Sequence, residues 1–319
     1  MTNKESYRQL CAVEPSIPLF SQAWWLDAVC GADKWDVILV EKGGTIIGAM
    51  PIYQTTRYSI SVISHPPLTQ TLGPWIRPST AKYAKALGYQ KDVMEEMISK
   101  LPVFGNFTQN WHYHNTNWLP FYWHGFKQTT RYTYILHELS DEKKLWAGLE
   151  EKIRSEIRKA TDRFQLVVRD DLSIEDFLKL NRMTFDRQGM ALPYSESFVR
   201  NLDGACASRG QCKILIAVDP QGQHHAGVYI VWDNNTAYYL MGGGHPELRS
   251  SGATSLCMWK AIQHSATVTK EFNFEGSMIE NVERFFRGFG AIQTPYFSIS
   301  KTPSRLLRAR SALQTVLRG

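Results

Sequence analysis

Three clusters of side chains in this sequence have the types and spacing to do chemistry. Glu275 ends a short run of rings and polar groups, Phe272 to Glu275, and Gly276 follows at once. A carboxylate at a strand end, with its proton affinity raised by neighbouring rings, suits a general base that takes a proton from an attacking ammonium. The competing reading is a structural turn residue, bonded to backbone or paired with an arginine such as Arg284. Arg249, Ser251, Gly252 and Ala253 form the second cluster, between a strand and a helix. Backbone N–H groups at a helix start, approached closely at a glycine, bind phosphate with the helix dipole in support. A plain Ser/Thr-rich helix cap has the same composition, and Glu247 nearby opposes an anion. In the third cluster Arg154 and Arg158 lie one helical turn apart, with Lys159 beside them. Paired guanidiniums suit phosphate or carboxylate recognition, whereas Glu150, Glu151 and Glu156 among them suit a salt-bridged, solvated face. Tyr229, Tyr238 and Tyr239 sit on central strands where one sheet face should border an acceptor cleft. Trp24, Trp25 and Trp232 offer a stacking wall for a sugar or base, or simply core.

The elements that position these groups follow from periodicity. Trp35 to Val40 and Thr45 to Tyr53 alternate as strands around Lys42-Gly43-Gly44, a hairpin signal. A helix over 21–29, a strand over 58–63, a helix over 80–100 and strands over 107–113 and 129–136 complete the first third. From Ser140 the texture becomes charged and helical, with Leu145, Leu149, Ile153 and Ile157 spaced by four through Phe164. Helices are expected over 174–186 and 195–208, then strands over 213–218, 225–232 and 236–241. A glycine run at 242–244 leads into a helix over 251–265. Ser277 with Glu280 has capping-box spacing, and Ile279, Val282, Phe285 and Phe286 recur at helical spacing up to Gly288. Glu280 and Glu283 each precede an arginine by four residues, the orientation that favours side-chain pairs. A last strand over 294–300 and a basic helix from Pro303 end the chain.

Composition narrows the class. A hydrophobic fraction of 43% and a charged fraction of 21% over 319 residues are those of a globular protein of about two domains. The polar start lacks the apolar block of a secretion signal, so the expected location is the cytoplasm, free or at the inner face of the membrane. The five cysteines are odd in number with no Cys-x-x-Cys pair and read as reduced thiols. His112 and His114 have no carboxylate or thiol at ligand spacing, so no metal site is expected. Residues 301–319 carry Lys301, Arg305, Arg308, Arg310 and Arg318 and no acid, five of the six units of net charge. That tail, with Leu306, Leu313 and Leu317 on one helical side, suits an anionic membrane, a tRNA backbone, or docking onto the N-terminal half.

The order of helices, three antiparallel strands, glycine loop, helix, strand, helix and strand resembles the GNAT superfamily, in particular its FemAB-like or BioF2-like acetyltransferases. KIRSEIRKA at 152–160, YLMGGG at 239–244 with Arg249 and Gly252 beyond it, and FNFEG at 272–276 before VERFFRGFG at 282–290 carry the resemblance, which covers about half the chain. It implies a mixed α/β fold of two GNAT-like lobes, the N-terminal one degenerate. Their expected bounds are 1–138 and 139–301, with a basic amphipathic helix over 302–319. It further implies acyl transfer to an amine, on a lipid-linked or small-molecule glycan or peptide acceptor of cell-envelope or surface-polysaccharide type. The donor implied is acyl-CoA or an aminoacyl-tRNA. In acyl-CoA-dependent relatives the phosphate loop is Arg or Gln, two residues, Gly, one residue, then Gly or Ala. Arg249, Gly252 and Ala253 are present, but Thr254 occupies the last small position. A non-catalytic binding protein on the same fold is the reading from a different class.

Overall fold

The structure is a computed structural model; it describes residues 2–276 and 278–316, with side chains as far as Arg310. From the N-terminus come α1 (Asn3–Val13), α2 (Ala23–Cys30), β1 (Trp35–Lys42), β2 (Thr45–Arg57), β3 (Ile60–Ser64) and β4 (Trp75–Ile76). Next are α3 (Tyr83–Ser99), β5 (Asn106–Asn110), α4 (Leu119–Trp123) and β6 (Lys127–Leu136). The chain continues through α5 (Glu142–Gly148), α6 (Glu151–Arg158), β7 (Val167–Arg169), α7 (Ile174–Arg187) and α8 (Glu196–Ala207). Strands β8 (Cys212–Val218), β9 (His224–Trp232) and β10 (Thr236–Gly244) precede α9 (Ala253–Ser265), β11 (Glu271–Asn273), α10 (Glu280–Arg287), β12 (Ile292–Lys301) and α11 (Arg305–Val316). No helix of the described residues is long and apolar enough to cross a membrane.

Two compact units divide the chain, Met1–Arg131 with Pro295–Gly319, and Tyr132–Thr294. The last strand belongs to the first unit because β12 pairs antiparallel with β5, Ser298 opposite Asn110 and Lys301 opposite Phe107.

In the first unit β1 and β2 form the anticipated hairpin, with Gly43 and Gly44 both at positive φ, as a tight two-residue turn requires. Its strand order is β1-β2-β3-β5-β12, with β4 on β2. α3 covers this sheet through Val93, Met94 and Met97, which join Val40, Met50, Phe107 and Trp111 in one core. A side chain at Gly48 would strike Val93 and Met97, so the glycine lets the helix lie on β2. α1, not anticipated from sequence, begins with a Thr2–Glu5 capping box.

In the second unit the order is β6-β11-β10-β9-β8-β7, with β10 and β11 parallel and the other pairs antiparallel. Alternation along β9 sorts its two faces. Ala226, Val228 and Ile230 pack into the core that holds Leu256, Cys257 and Met258 of α9. Gly227 and Tyr229 face Phe177 of α7 instead. The long helix expected over 140–164 is broken into α5, α6 and a π-helical turn, Lys159–Arg163. The break lies at Leu149–Glu150, where the Glu150 N–H donates to the Gly288 carbonyl and Gly290 sits against the Gly148 carbonyl. Tertiary contact, which periodicity does not encode, interrupts the helix there.

Candidate functional site

The site is built where β10 and β11 part. Their parallel pairing covers Thr236–Glu271, Ala237–Phe272 and Tyr238–Asn273, and β11 then stops. Asn273 stops it: its Oδ1 accepts from Thr133 Oγ1 at 2.5 Å and from the Glu275 N–H at 2.7 Å. Glu275 and Gly276 then both adopt left-handed backbone, at φ +61° each. For glutamate this conformation costs about 1–3 kcal/mol and persists only where the surroundings impose it. Gly276 has no such freedom to lose, since a Cβ there would run into the Tyr132 carbonyl. Strain of this kind concentrates at functional sites.

The Glu275 side chain is buried at 7% exposure. Arg284, its expected alternative partner, pairs with Glu280 at 3.0 Å, and Arg287 pairs with Glu283 at 3.0 Å, the two helical pairs anticipated from spacing. Ser277, the anticipated cap, lies outside the described residues; α10 begins at Glu280 with Ile279 at its N-cap. On β10, Tyr239 is the neighbour of Glu275 that matters. Burial, with Cys257, Tyr194 and Glu275 around it, pushes the Tyr239 phenol well above the ordinary tyrosine range. It therefore keeps its proton and can donate a hydrogen bond, but does not act as a base. A register shift between Tyr239 and Met241 turns the strand here, and the phenol lies over Gly242, where any Cβ would meet it.

Beyond the shift, β10 turns one backbone edge away from β9. Side chains of α7 bind that edge. Asn181 Nδ2 donates to the Gly242 carbonyl at 2.8 Å, and Thr184 Oγ1 accepts from the Gly244 N–H at 2.9 Å. The Tyr194 hydroxyl donates to Asn181 Oδ1 at 3.1 Å. Gly243 lets α7 approach, because a Cβ would lie 2.5 Å from the Leu180–Asn181 backbone. Asn181, Thr184 and Tyr194 were missed from sequence, and Tyr239 was read there only as one of three tyrosines on the central strands. The available signal was a buried Asn181 on the apolar stripe of α7, one turn from Thr184.

After β10 comes the loop of the second cluster. Arg249 is exposed, its Nε donating to the Pro246 carbonyl at 3.2 Å. Ser251 is buried, and its Oγ accepts from the Ala253 N–H at 3.4 Å. Ala253 opens α9. Gly252 takes φ +81°, but what fills the space beside it is protein: a Cβ would run into the carbonyl of Glu156 on α6. The Glu156 carboxylate is also close, and Lys159 Nζ holds it at 2.6 Å. The Ser251 hydroxyl and the Glu156 carboxylate thus already lie beside the first turn of α9, where the helix dipole favours them.

The remaining sequence-predicted residues have other occupations. Arg154 bonds Glu151 and the carbonyls of Trp146 and Ala147, and Arg158 bonds Glu151. The salt-bridged face describes both. Tyr229 is fully buried and donates to Asp203 at 3.0 Å, so it has no surface for an acceptor. Tyr238, 2% exposed, is likewise core. Trp25 is buried with Nε1 donating to Thr69 at 3.1 Å, and Trp24 is half-buried edge-on against it. In the tail, Lys301 Nζ donates to the His124 carbonyl at 2.6 Å, the Ser304 N–H to Gly105, and Arg310 lies over the Tyr58 ring. Leu306 is exposed; the side chain of Leu313, and Leu317 and Arg318, lie outside the described residues. Among the described residues no group of three His, Cys, Asp or Glu side chains is placed to hold a metal ion.

Residues 148–274 match the family model described as the acetyltransferase (GNAT) domain, and the chain carries the FemAB-like tandem GNAT fold. FemX shares 14% identity at a TM-score of 0.68, over 93% of this chain and 96% of that one. The C-terminal domain of a putative lysylphosphatidylglycerol synthetase from Agrobacterium fabrum shares 11% at 0.57, over 99% and 97%. A tandem GNAT protein from the clavulanic acid biosynthesis pathway shares 10% at 0.53, over 95% of each chain. No curated protein matches the sequence.

Proposed function

We propose that this protein is an N-acyltransferase that moves an acyl group from acyl-CoA to an amine on a cell-envelope glycan or peptide precursor. The observation that carries the reading is the buried Glu275 carboxylate, set on left-handed backbone where β10 and β11 part, with the half-buried Tyr239 near it. Similarity to FemX and to a lysylphosphatidylglycerol synthetase domain supports an acceptor of the cell envelope. The thioester supplies an acyl carbon open to attack by an amine. Glu275 takes the proton that the amine loses as its C–N bond forms. Tyr239, held protonated, donates a hydrogen bond to the negative charge that develops on the acyl oxygen or the departing sulfur. Asn181 and Thr184 hold β10 in place so that the pair keeps its geometry. Arg249 and the first turn of α9 take the phosphates of the donor.

Calorimetric titration with CoA, acetyl-CoA and longer acyl-CoAs tests the donor. Binding that weakens about tenfold on Arg249→Ala, the loss of one charge-assisted contact of ~1.4 kcal/mol, supports the reading. Failure of every thioester to bind sinks it. For the base, Glu275→Gln with the fold intact should reduce turnover of an amine substrate and remove the acid limb of its pH profile. Unchanged turnover across pH refutes that role.

A further inference from the structure

The first unit contains a cavity of about 320 Å³ that no part of the acyl-transfer reading uses. Its walls are the loop before β4, the loop after β5, the chain ahead of α2, and Gln90 and Met94 of α3. That volume is at the lower end of the ~300–1,000 Å³ range of small-ligand sites.

The walls are bonded to one another, so the cavity is formed in advance. The Leu72 N–H donates to the Asn110 carbonyl and the His112 N–H to the Leu72 carbonyl. Asn115 Nδ2 donates to the Pro74 carbonyl at 3.0 Å, and Trp75 Nε1 to Ser16 Oγ at 2.9 Å. Gly73, at φ +97°, is pressed against the Trp111 ring, where a Cβ would not fit. Pro18, Pro74 and Pro78 stiffen the lining further. A ligand that enters such a site orders little protein, and little affinity is lost to that ordering.

The lining chemistry selects the ligand. No Asp, Glu, Lys or Arg is among its residues. Arg77, between the lining residues Ile76 and Pro78, pairs with Glu14 at 3.3 Å. Burial pushes the His112 imidazole down to about 3, so it is neutral. Its Nδ1 accepts from the His114 N–H, which leaves the proton on Nε2. Asn117 Oδ1 accepts from the Leu119 N–H at 3.3 Å, and its buried Nδ2 has no hydrogen-bond partner. A buried amide donor of this kind calls for an oxygen acceptor. The Arg77 guanidinium lies over the Trp75 ring, 5.3 Å from its centroid, but its charge is met by Glu14, so a phosphate, carboxylate or ammonium group would lose its hydration here without gaining an unpaired opposite charge. An extended peptide is typically held by an unpaired strand edge or a helix groove, whereas these walls are loops and prolines with a tryptophan edge.

We propose that the cavity binds one uncharged sugar ring, its C–H face against Pro74 and Trp75 and one of its oxygens accepting from Asn117 Nδ2. The site lies wholly within the first unit and holds or fails independently of acyl transfer in the second.

Saturation-transfer NMR on the full chain tests it, with methyl glucoside and N-acetylglucosamine as probes. Glucose 6-phosphate and N-acetyl-alanyl-alanine amide are the comparison ligands. A neutral sugar should bind with an affinity that salt does not change. Asn117→Ala should weaken it about tenfold, one hydrogen bond of ~1.4 kcal/mol. Thr116→Trp, a change at an exposed position on the rim, should abolish it. Both variants should keep the melting temperature of the parent and its calorimetric response to acyl-CoA, which separates loss of this site from loss of the donor site. The proposal is overturned if no neutral sugar binds, if binding survives Thr116→Trp, if the peptide amide binds as well, or if only the phosphorylated sugar binds.

Discussion

Gly252 lies in the loop that resembles a phosphate cradle, and Gly252→Ala tests why it is glycine. In the structure its φ of +81° and the Glu156 carbonyl both demand the absence of a Cβ. Left-handed backbone costs alanine ~1–2 kcal/mol. The clash is with helix backbone, not the end of a flexible side chain, so α6 must shift against α9 at an overpacking cost of ~1–3 kcal/mol. The sum, ~2–5 kcal/mol, is a large share of the ~5–15 kcal/mol that stabilises a typical domain. With a urea dependence of ~2–3 kcal/mol per molar, the midpoint of the second unit should fall by about 1–2 M. Donor affinity should change with it, because Arg249 moves with the loop. Urea denaturation followed by far-UV circular dichroism, together with acyl-CoA calorimetry, provides both readouts. A variant with the parent's midpoint and no donor binding would refute the reasoning. The glycine would then serve the approach of a ligand, and packing of α6 would be incidental.

Two further outcomes follow from buried polar groups. His112 ordinarily titrates near ~6.5 but is pushed down to about 3 by burial. The unfolded chain therefore binds the proton first, and stability is lost as pH falls from ~6.5 towards 3; by pH 5 the loss from this group is ~2 kcal/mol relative to pH 7. Urea midpoints at the two pH values should differ less in His112→Asn than in the parent, and an equal difference would show that His112 is not the cause. Asn181→Leu leaves the Gly242 carbonyl and the Tyr194 hydroxyl without their partner, at ~1–3 kcal/mol. Turnover should fall along with stability; wild-type turnover in that variant would mean that α7 does not position β10 for catalysis.

Much of the architecture was legible in the sequence because it is encoded locally. Two consecutive glycines suffice to specify the β1–β2 turn, and alternation suffices to place β8, β9 and β10. The i,i+4 pairs on α10 need only helical geometry. Even the resemblance to tandem GNAT proteins rests on such local runs. The site was legible only in part. Glu275 stood out as an acid ahead of a glycine, yet nothing local announces that Asn273 stops the strand and forces left-handed backbone on a glutamate. Tyr229 and Tyr239 sit on neighbouring strands with similar surroundings in sequence, but only register puts one against Asp203 in the core and the other beside Glu275.

By itself, the sequence determined the order and type of most elements, the helical ion pairs and the family of folds, since each depends on residues within a few positions of one another. Tertiary structure alone decided what those elements do. It assigned Gly252 to the packing of α6, ended the 140–164 helix at the Gly288 carbonyl, returned β12 to β5, and gave the free edge of β10 to Asn181 and Thr184. The physical reason is the same in each case: these outcomes depend on which backbone groups meet across long separations, and a periodic pattern records which face a residue takes without recording what it will find there. Glu275 changed least in identity and most in meaning, from an acid before a turn to a buried carboxylate on left-handed backbone where two strands part.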